Sequence, residues 1–105
     1  MPEYRIRAVA FRRGDWWIAQ CLEYRLATQT KTLEDLPHEL ERLLSVQIKS
    51  SLDRGVEPFA GFSPAPRRYW QMYERARTRL EAITTPDPQP TETSSLVRAE
   101  TRLAA

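Results

Sequence analysis

The run Thr28-Gln-Thr-Lys-Thr-Leu-Glu-Asp-Leu36 opens directly into a leucine-rich stretch that ends near Gly55, and this block dictates much of what the chain can become. Leu36, Leu40, Leu43, Leu44, Gln47, Ile48 and Leu52 form one stripe at helical spacing, broken only by Gln47. Glu39, Glu41, Arg42, Lys49 and Asp53 fall outside it. The spacing predicts a helix from about Leu36 to about Arg54, lying across a sheet and supplying most of the core. Thr32 suits an N-cap, with Asp35 three residues on in a capping-box-like arrangement. Pro37 leaves two readings open: a loose first turn after Thr32, or a cap at Asp35 with Pro37 inside the first turn, where its missing N–H is tolerated. Gly55 stands where helices commonly end.

Upstream, the period changes from helical to alternating. Tyr4, Ile6, Ala8 and Ala10 share one face of a predicted strand, and Arg5, Arg7, Val9 and Phe11 the other. Arg12-Arg13-Gly14-Asp15 reads as a hairpin turn in which Gly14 is free to take positive φ. Trp16 to Leu22 is the returning strand, and its adjacent tryptophans must point to opposite faces. One belongs to the core, and the other needs a helix, a second subunit or a ligand to cover it. Glu23-Tyr24-Arg25 links to a short third strand, Leu26 to Thr30, which completes an antiparallel meander.

Downstream, Val56-Glu57-Pro58-Phe59 is short and extended, a candidate edge strand because Pro58 cannot donate to a central ladder. A bend follows through Gly61, Pro64 and Pro66. Arg67 to Ile83 reads as a second helix with Tyr69, Met72, Tyr73, Ala76, Leu80 and Ile83 along its seam and arginines over much of the rest. Residues 84–95 hold three prolines and no apolar side chain, the composition of a flexible linker. Residues 96–103 have apolar positions enough for a transient helical turn, so the expectation for 85–105 is a flexible tail.

Charge and composition restrict the chemistry. The chain has 105 residues, room for one small core. No apolar run approaches the roughly 20 residues that span a bilayer, and Met-Pro-Glu-Tyr-Arg has no apolar signal segment, so the sequence reads as cytoplasmic. The net charge of +2 is uneven: residues 1–60 are neutral, and Arg67, Arg68, Arg75, Arg77 and Arg79 concentrate the excess in the second helix. The only cysteine, Cys21, lies in a strand, and the only histidine, His38, in the first turn of the long helix. One of each fills no zinc site, and neither has an evident catalytic partner. Asp15, Glu23, Glu34 and Asp35 sit in a turn, a loop and a helix start, a poor arrangement for acids that must converge on two metal ions. The sequence therefore predicts no enzyme, no metal and no cofactor.

Gly14-Asp15-Trp16-Trp17, followed by Thr28-Gln29-Thr30-Lys31-Thr32-Leu33-Glu34-Asp35-Leu36, resembles the N-terminal domain of HicB-like antitoxins over roughly residues 3–60. That family shows a Gly-Asp-Gly-like turn, an apolar second strand and Thr-Gln-Gly-x-Thr-Leu-Glu-Glu-Ala at the helix start. The resemblance implies an α+β fold: a small antiparallel β-β-β-α-β domain, like a truncated ribonuclease H, without nuclease activity. It also implies stoichiometric neutralisation of a small basic HicA-like toxin within a toxin-antitoxin system, usually through an acidic antitoxin surface. The family's glycine is Thr30 here, its Pro-Gly before the third strand is Tyr24-Arg25, and no C-terminal DNA-binding module is evident.

The expected organisation is thus a HicB-like domain over 1–62, a basic aromatic helix over 63–84 and a flexible tail over 85–105, in a homo-oligomer. The expected function is non-catalytic protein binding, with Trp16, Trp17, Tyr24 and Arg25 as partner-contacting residues. The rival is a nucleic-acid-binding or regulatory module in which Arg67, Arg68, Trp70, Arg75 and Arg79 meet phosphates or a partner.

Overall fold

A computed structural model of the chain describes residues 4–80 and 97–104. The elements run β1 (Tyr4–Arg13), β2 (Trp16–Cys21), β3 (Ala27–Thr30), α1 (Leu36–Asp53), α2 (Arg67–Arg75), β4 (Thr78–Leu80) and β5 (Val97–Leu103). They form a small α+β domain with a five-stranded sheet in the order β3-β2-β1-β5-β4. Every neighbouring pair is antiparallel except β1 and β5, which run parallel from Tyr4 beside Val97 to Ala10 beside Leu103.

Local chemistry explains each element. In the first hairpin Arg13 pairs with Trp16, leaving a two-residue loop, and Gly14 takes φ 61 there, as the first position of such a tight loop requires. Asp35 caps α1 and Pro37 lies in its first turn, so the second of the two readings of this helix start holds. The Asp35 carboxylate caps no backbone N–H and instead accepts the Thr32 hydroxyl at 2.7 Å. At the other end Gly55 takes φ 71, its N–H donates to the Leu52 carbonyl, and Val56 N–H reaches back to Ser51, the paired bonds of a Schellman stop.

The helices lie on opposite faces of the sheet. Under α1, Leu36, Leu40, Leu44 and Ile48 close completely over Ile6, Ala8, Ala10, Ala19 and Cys21, with Phe59 at the margin. Small side chains on β1 and β2 let the leucines of α1 approach the sheet closely. The opposite core is smaller: Val9 and Leu22 of the sheet against Ala65, Tyr69 and Tyr73 of α2 and its approach, with Phe11, Trp70 and Met72 at the rim.

Several expectations need correction. Residues 56–59 form no strand: Phe59 has φ 64, incompatible with extended pairing, and Pro58 and Phe59 are buried in a turn. The place beside β1 is taken by β5, within the stretch expected to be a tail. The second helix stops at Arg75, because Ala76 turns to extended backbone (φ −77, ψ 134) and Thr78–Leu80 pair with β5. Leu80 then joins the α1 core rather than the α2 seam, and Leu52 is half exposed rather than buried. Ile83 and the linker lie outside the described residues. Among the described residues no helix is long and apolar enough to cross a membrane.

Candidate functional site

The tryptophans do point to opposite faces. Trp17 is half buried against the α1 core, with the Arg12 guanidinium 5.9 Å from its ring centroid. Trp16 stands on the other face, 37% exposed, with Lys31 Nζ 4.0 Å from its ring centroid. Tyr24 and Arg25 lie at the far end of β2, roughly 20 Å along the strand at ~3.3 Å per residue. The four expected partner-contacting residues therefore form three places rather than one.

Around Tyr24 the structure assembles a group that sequence reasoning did not connect. Tyr24 stacks on Phe59 with ring centroids 4.2 Å apart and planes at 13°, and Phe62 lies 6.1 Å beyond Phe59. Arg25 N–H donates to the Ser63 carbonyl at 2.7 Å, and Ala65 N–H to the Leu22 carbonyl at 2.9 Å, tying the β2–β3 loop to the chain that leads into α2. A cleft of about 290 Å³ opens between the end of α1 and this turn, lined by Gln47, Ser51, Val56, Phe59, Ala60 and Phe62 among others. Val56 and Phe62 are exposed at its edge, and Leu52 is exposed on the same end of the helix. The left-handed φ of Phe59, a conformation costing a non-glycine residue about 1–2 kcal/mol, is maintained where the ring stacks on Tyr24. The aromatic spacing Tyr24, Phe59, Phe62 was visible in the sequence, but only the fold brings Tyr24 to the other two.

The residues expected on the basic helix divide differently. Arg67, Arg68 and Arg75 are exposed on α2. Arg68 donates to the Tyr69 hydroxyl at 3.0 Å, and this hydrogen bond, ahead of all else, holds the phenol below its ordinary pKa. Trp70 donates its indole N–H to the Ala65 carbonyl at 3.2 Å, so its polar end is used internally. Arg79 is not on the helix but on β4, 3.9 Å from Glu100. The arginines of the sheet lie over the aromatic rings of α2. Arg7 sits 4.7 Å from the Trp70 centroid, and Arg102 4.3 Å from that of Tyr73. Glu23 clamps Arg7 by accepting its backbone N–H at 2.7 Å and its Nε at 2.6 Å. That side-chain hydrogen bond is the main cause of a raised Arg7 pKa.

Burial, with a smaller contribution from Glu23, pushes the Cys21 thiol up to about 12, the opposite of activation. Among the described residues no group of three or more His, Cys, Asp or Glu is placed to hold a metal ion. Burial also raises the Glu41 carboxyl, partly opposed by His38, and Glu41 lines a second cleft of about 390 Å³ with Arg5, Arg7, Arg79 and Glu100.

What remains is two chemically opposite surfaces. On and beside α1, from Lys31 to Glu57, Glu34, Asp35, Glu39, Glu41, Asp53 and Glu57 outnumber Lys31, Arg42, Lys49 and Arg54. On the other side of the sheet, α2 and β4 carry Arg67, Arg68, Arg75, Arg77 and Arg79 against Glu74 alone. Compared with family models, curated proteins and solved structures, the chain matches none of them.

Proposed function

We propose that this chain is a non-catalytic protein-binding module that captures a small basic protein, in the manner of HicB-like antitoxins. One observation carries the reading: the cleft at the end of α1, floored by Phe59 and edged by exposed Val56 and Phe62. Its surroundings supply what a protein interface core needs, namely aromatic anchors with a charged rim. The rim carries Glu57 and Arg54, and the α1 layer around it is net acidic from Lys31 to Glu57, which suits a basic partner. Tyr24 and Arg25 belong to this surface, and Trp16 lies away from it.

The test is affinity purification of the tagged protein from its own cells after nuclease treatment, beside Phe62→Asp and Trp16→Ala. The expected result is a small basic protein in near-equal amount, retained with Trp16→Ala and lost with Phe62→Asp. A complex indifferent to Phe62→Asp, or lost only with Trp16→Ala, would overturn the placement of the interface. Recovery of the protein alone would overturn the proposal.

A further inference from the structure

The surface on the other side of the sheet is distinct from the one just described. Arg67, Arg75 and Arg77 stand exposed on and just after α2, and among the described residues none has a carboxylate within ion-pair distance. Arg7 and Arg102 flank the helix, where Trp70 and Tyr73 hold their guanidiniums. Arg68 flanks it on Tyr69, and Arg13 lies 5.5 Å from the Phe11 ring centroid. Arg79 on β4 extends the band toward the sheet edge. The acids Glu23 and Glu100 are each already beside an arginine, and Glu74 is the one acid on α2 against Arg67, Arg68 and Arg75. The band therefore keeps a cationic excess.

We propose that this α2 face binds the phosphodiester backbone of a nucleic acid. Guanidiniums match phosphate oxygens in fork geometry, and stacking on rings fixes them in place before the ligand arrives. The same stacking defines what the surface does not do. A ring face covered by Arg7 or Arg102 is closed to a base, and the Trp70 indole N–H is spent on Ala65. Contacts are thus to phosphates, with no platform on α2 for reading bases, and binding is insensitive to sequence. The protein-binding surface on α1 is not needed for this.

The experiment is fluorescence anisotropy of the full chain with short labelled RNA and DNA of several base compositions, across about 50 to 200 mM salt. The expected result is similar affinity for every composition and a steep inverse dependence on salt. In Arg75→Ala/Arg77→Ala the log–log salt slope falls by about 2, since each lost phosphate contact removes about 1. Lys49→Ala/Arg42→Ala removes the same charge from the α1 layer and leaves affinity and slope unchanged. Equal weakening by both pairs would show attraction by net charge alone and overturn the site. So would salt-independent binding, a strong preference for one base, or no binding of either nucleic acid. Binding of acidic protein instead, read with a labelled polyglutamate in the same assay, would assign the band to a protein partner and overturn the proposal.

Discussion

On one side of the sheet α1 seals four aliphatic side chains, Leu36, Leu40, Leu44 and Ile48, completely from water. On the other, nine-residue α2 holds the sheet chiefly through Tyr69 and Tyr73, and guanidiniums from β1 and β5 lie across its rings. The α1 layer draws its stability from apolar burial, so its surface charges can change at little cost. In the α2 layer the cations are themselves packing elements, each ring–guanidinium contact contributing about 0.5–1 kcal/mol at an exposed site. Charge and stability are separable in the first layer and coupled in the second.

That contrast can be tested most severely in the two cores. Leu44→Ala opens a cavity against Ala and Cys side chains that cannot move in to fill it, and should cost about 2–5 kcal/mol by urea denaturation. Tyr69→Ala, in the smaller core whose half-buried rim can close over part of the space, should cost about 1.5–3 kcal/mol. Hydrogen exchange should separate them further: Tyr69→Ala speeds exchange in α2 while the β1–β2 ladder stays protected, and Leu44→Ala lowers protection throughout. Equal, global effects of both substitutions would dissolve the distinction between the layers.

A smaller effect is expected at Arg7. Arg7→Lys keeps the charge but loses the flat ring contact with Trp70 and the Nε bond to Glu23, and should cost about 1 kcal/mol. Arg42→Lys, on the largely exposed pair with Glu39 of α1, should leave the denaturation midpoint where it is. A harmless Arg7→Lys would mean that the guanidiniums of the α2 layer are ornaments of the surface after all.

The smallest effect concerns pH. Burial raises the Glu41 carboxyl in the folded chain, so the folded state holds this proton more tightly than the unfolded chain does. The associated stability is present below the unfolded value and is lost as pH rises through the folded one. Glu41→Gln should therefore raise the midpoint slightly at neutral pH, given its partial exposure, with no gain below the carboxylate range. A gain that persists in acid would have another cause.

The first half of the fold was legible because its signals are local. Alternation in β1, a glycine between two strands and a leucine stripe each report on residues within a few positions of one another. The second half was not, although a signal existed. Val97, Ala99, Thr101 and Leu103 alternate with Arg98, Glu100 and Arg102 at a period of two, but a preceding run of prolines and hydroxyls made the segment read as a tail. Its partner, β1, is at the other end of the described chain, and no short-range rule reports parallel pairing across that distance. Thr78–Leu80 was hidden similarly, since Leu80 continues the seam of α2 in spacing while the backbone has already left the helix at Ala76. At the candidate surfaces, residue type was legible and grouping was not. Arg67 and Arg75 were expected on an exposed helix and are there, whereas Tyr24 meets Phe59 only because the β2–β3 loop is hydrogen-bonded to the segment before α2.

The parallel pairing of β1 with β5 also bears on how the chain is made. A ribosome delivers β1, β2, β3 and α1 early, and β5 after every other described element. Until then one edge of β1 offers unpaired N–H and C=O groups, with Ile6, Ala8 and Ala10 alongside, to any strand that passes. Closing the sheet joins the two paired strands that lie farthest apart in sequence among the described residues, which makes it a slow step. The interval between α1 docking and β5 arriving is therefore when this protein is most exposed to mispairing, and when a chaperone would find the most to hold.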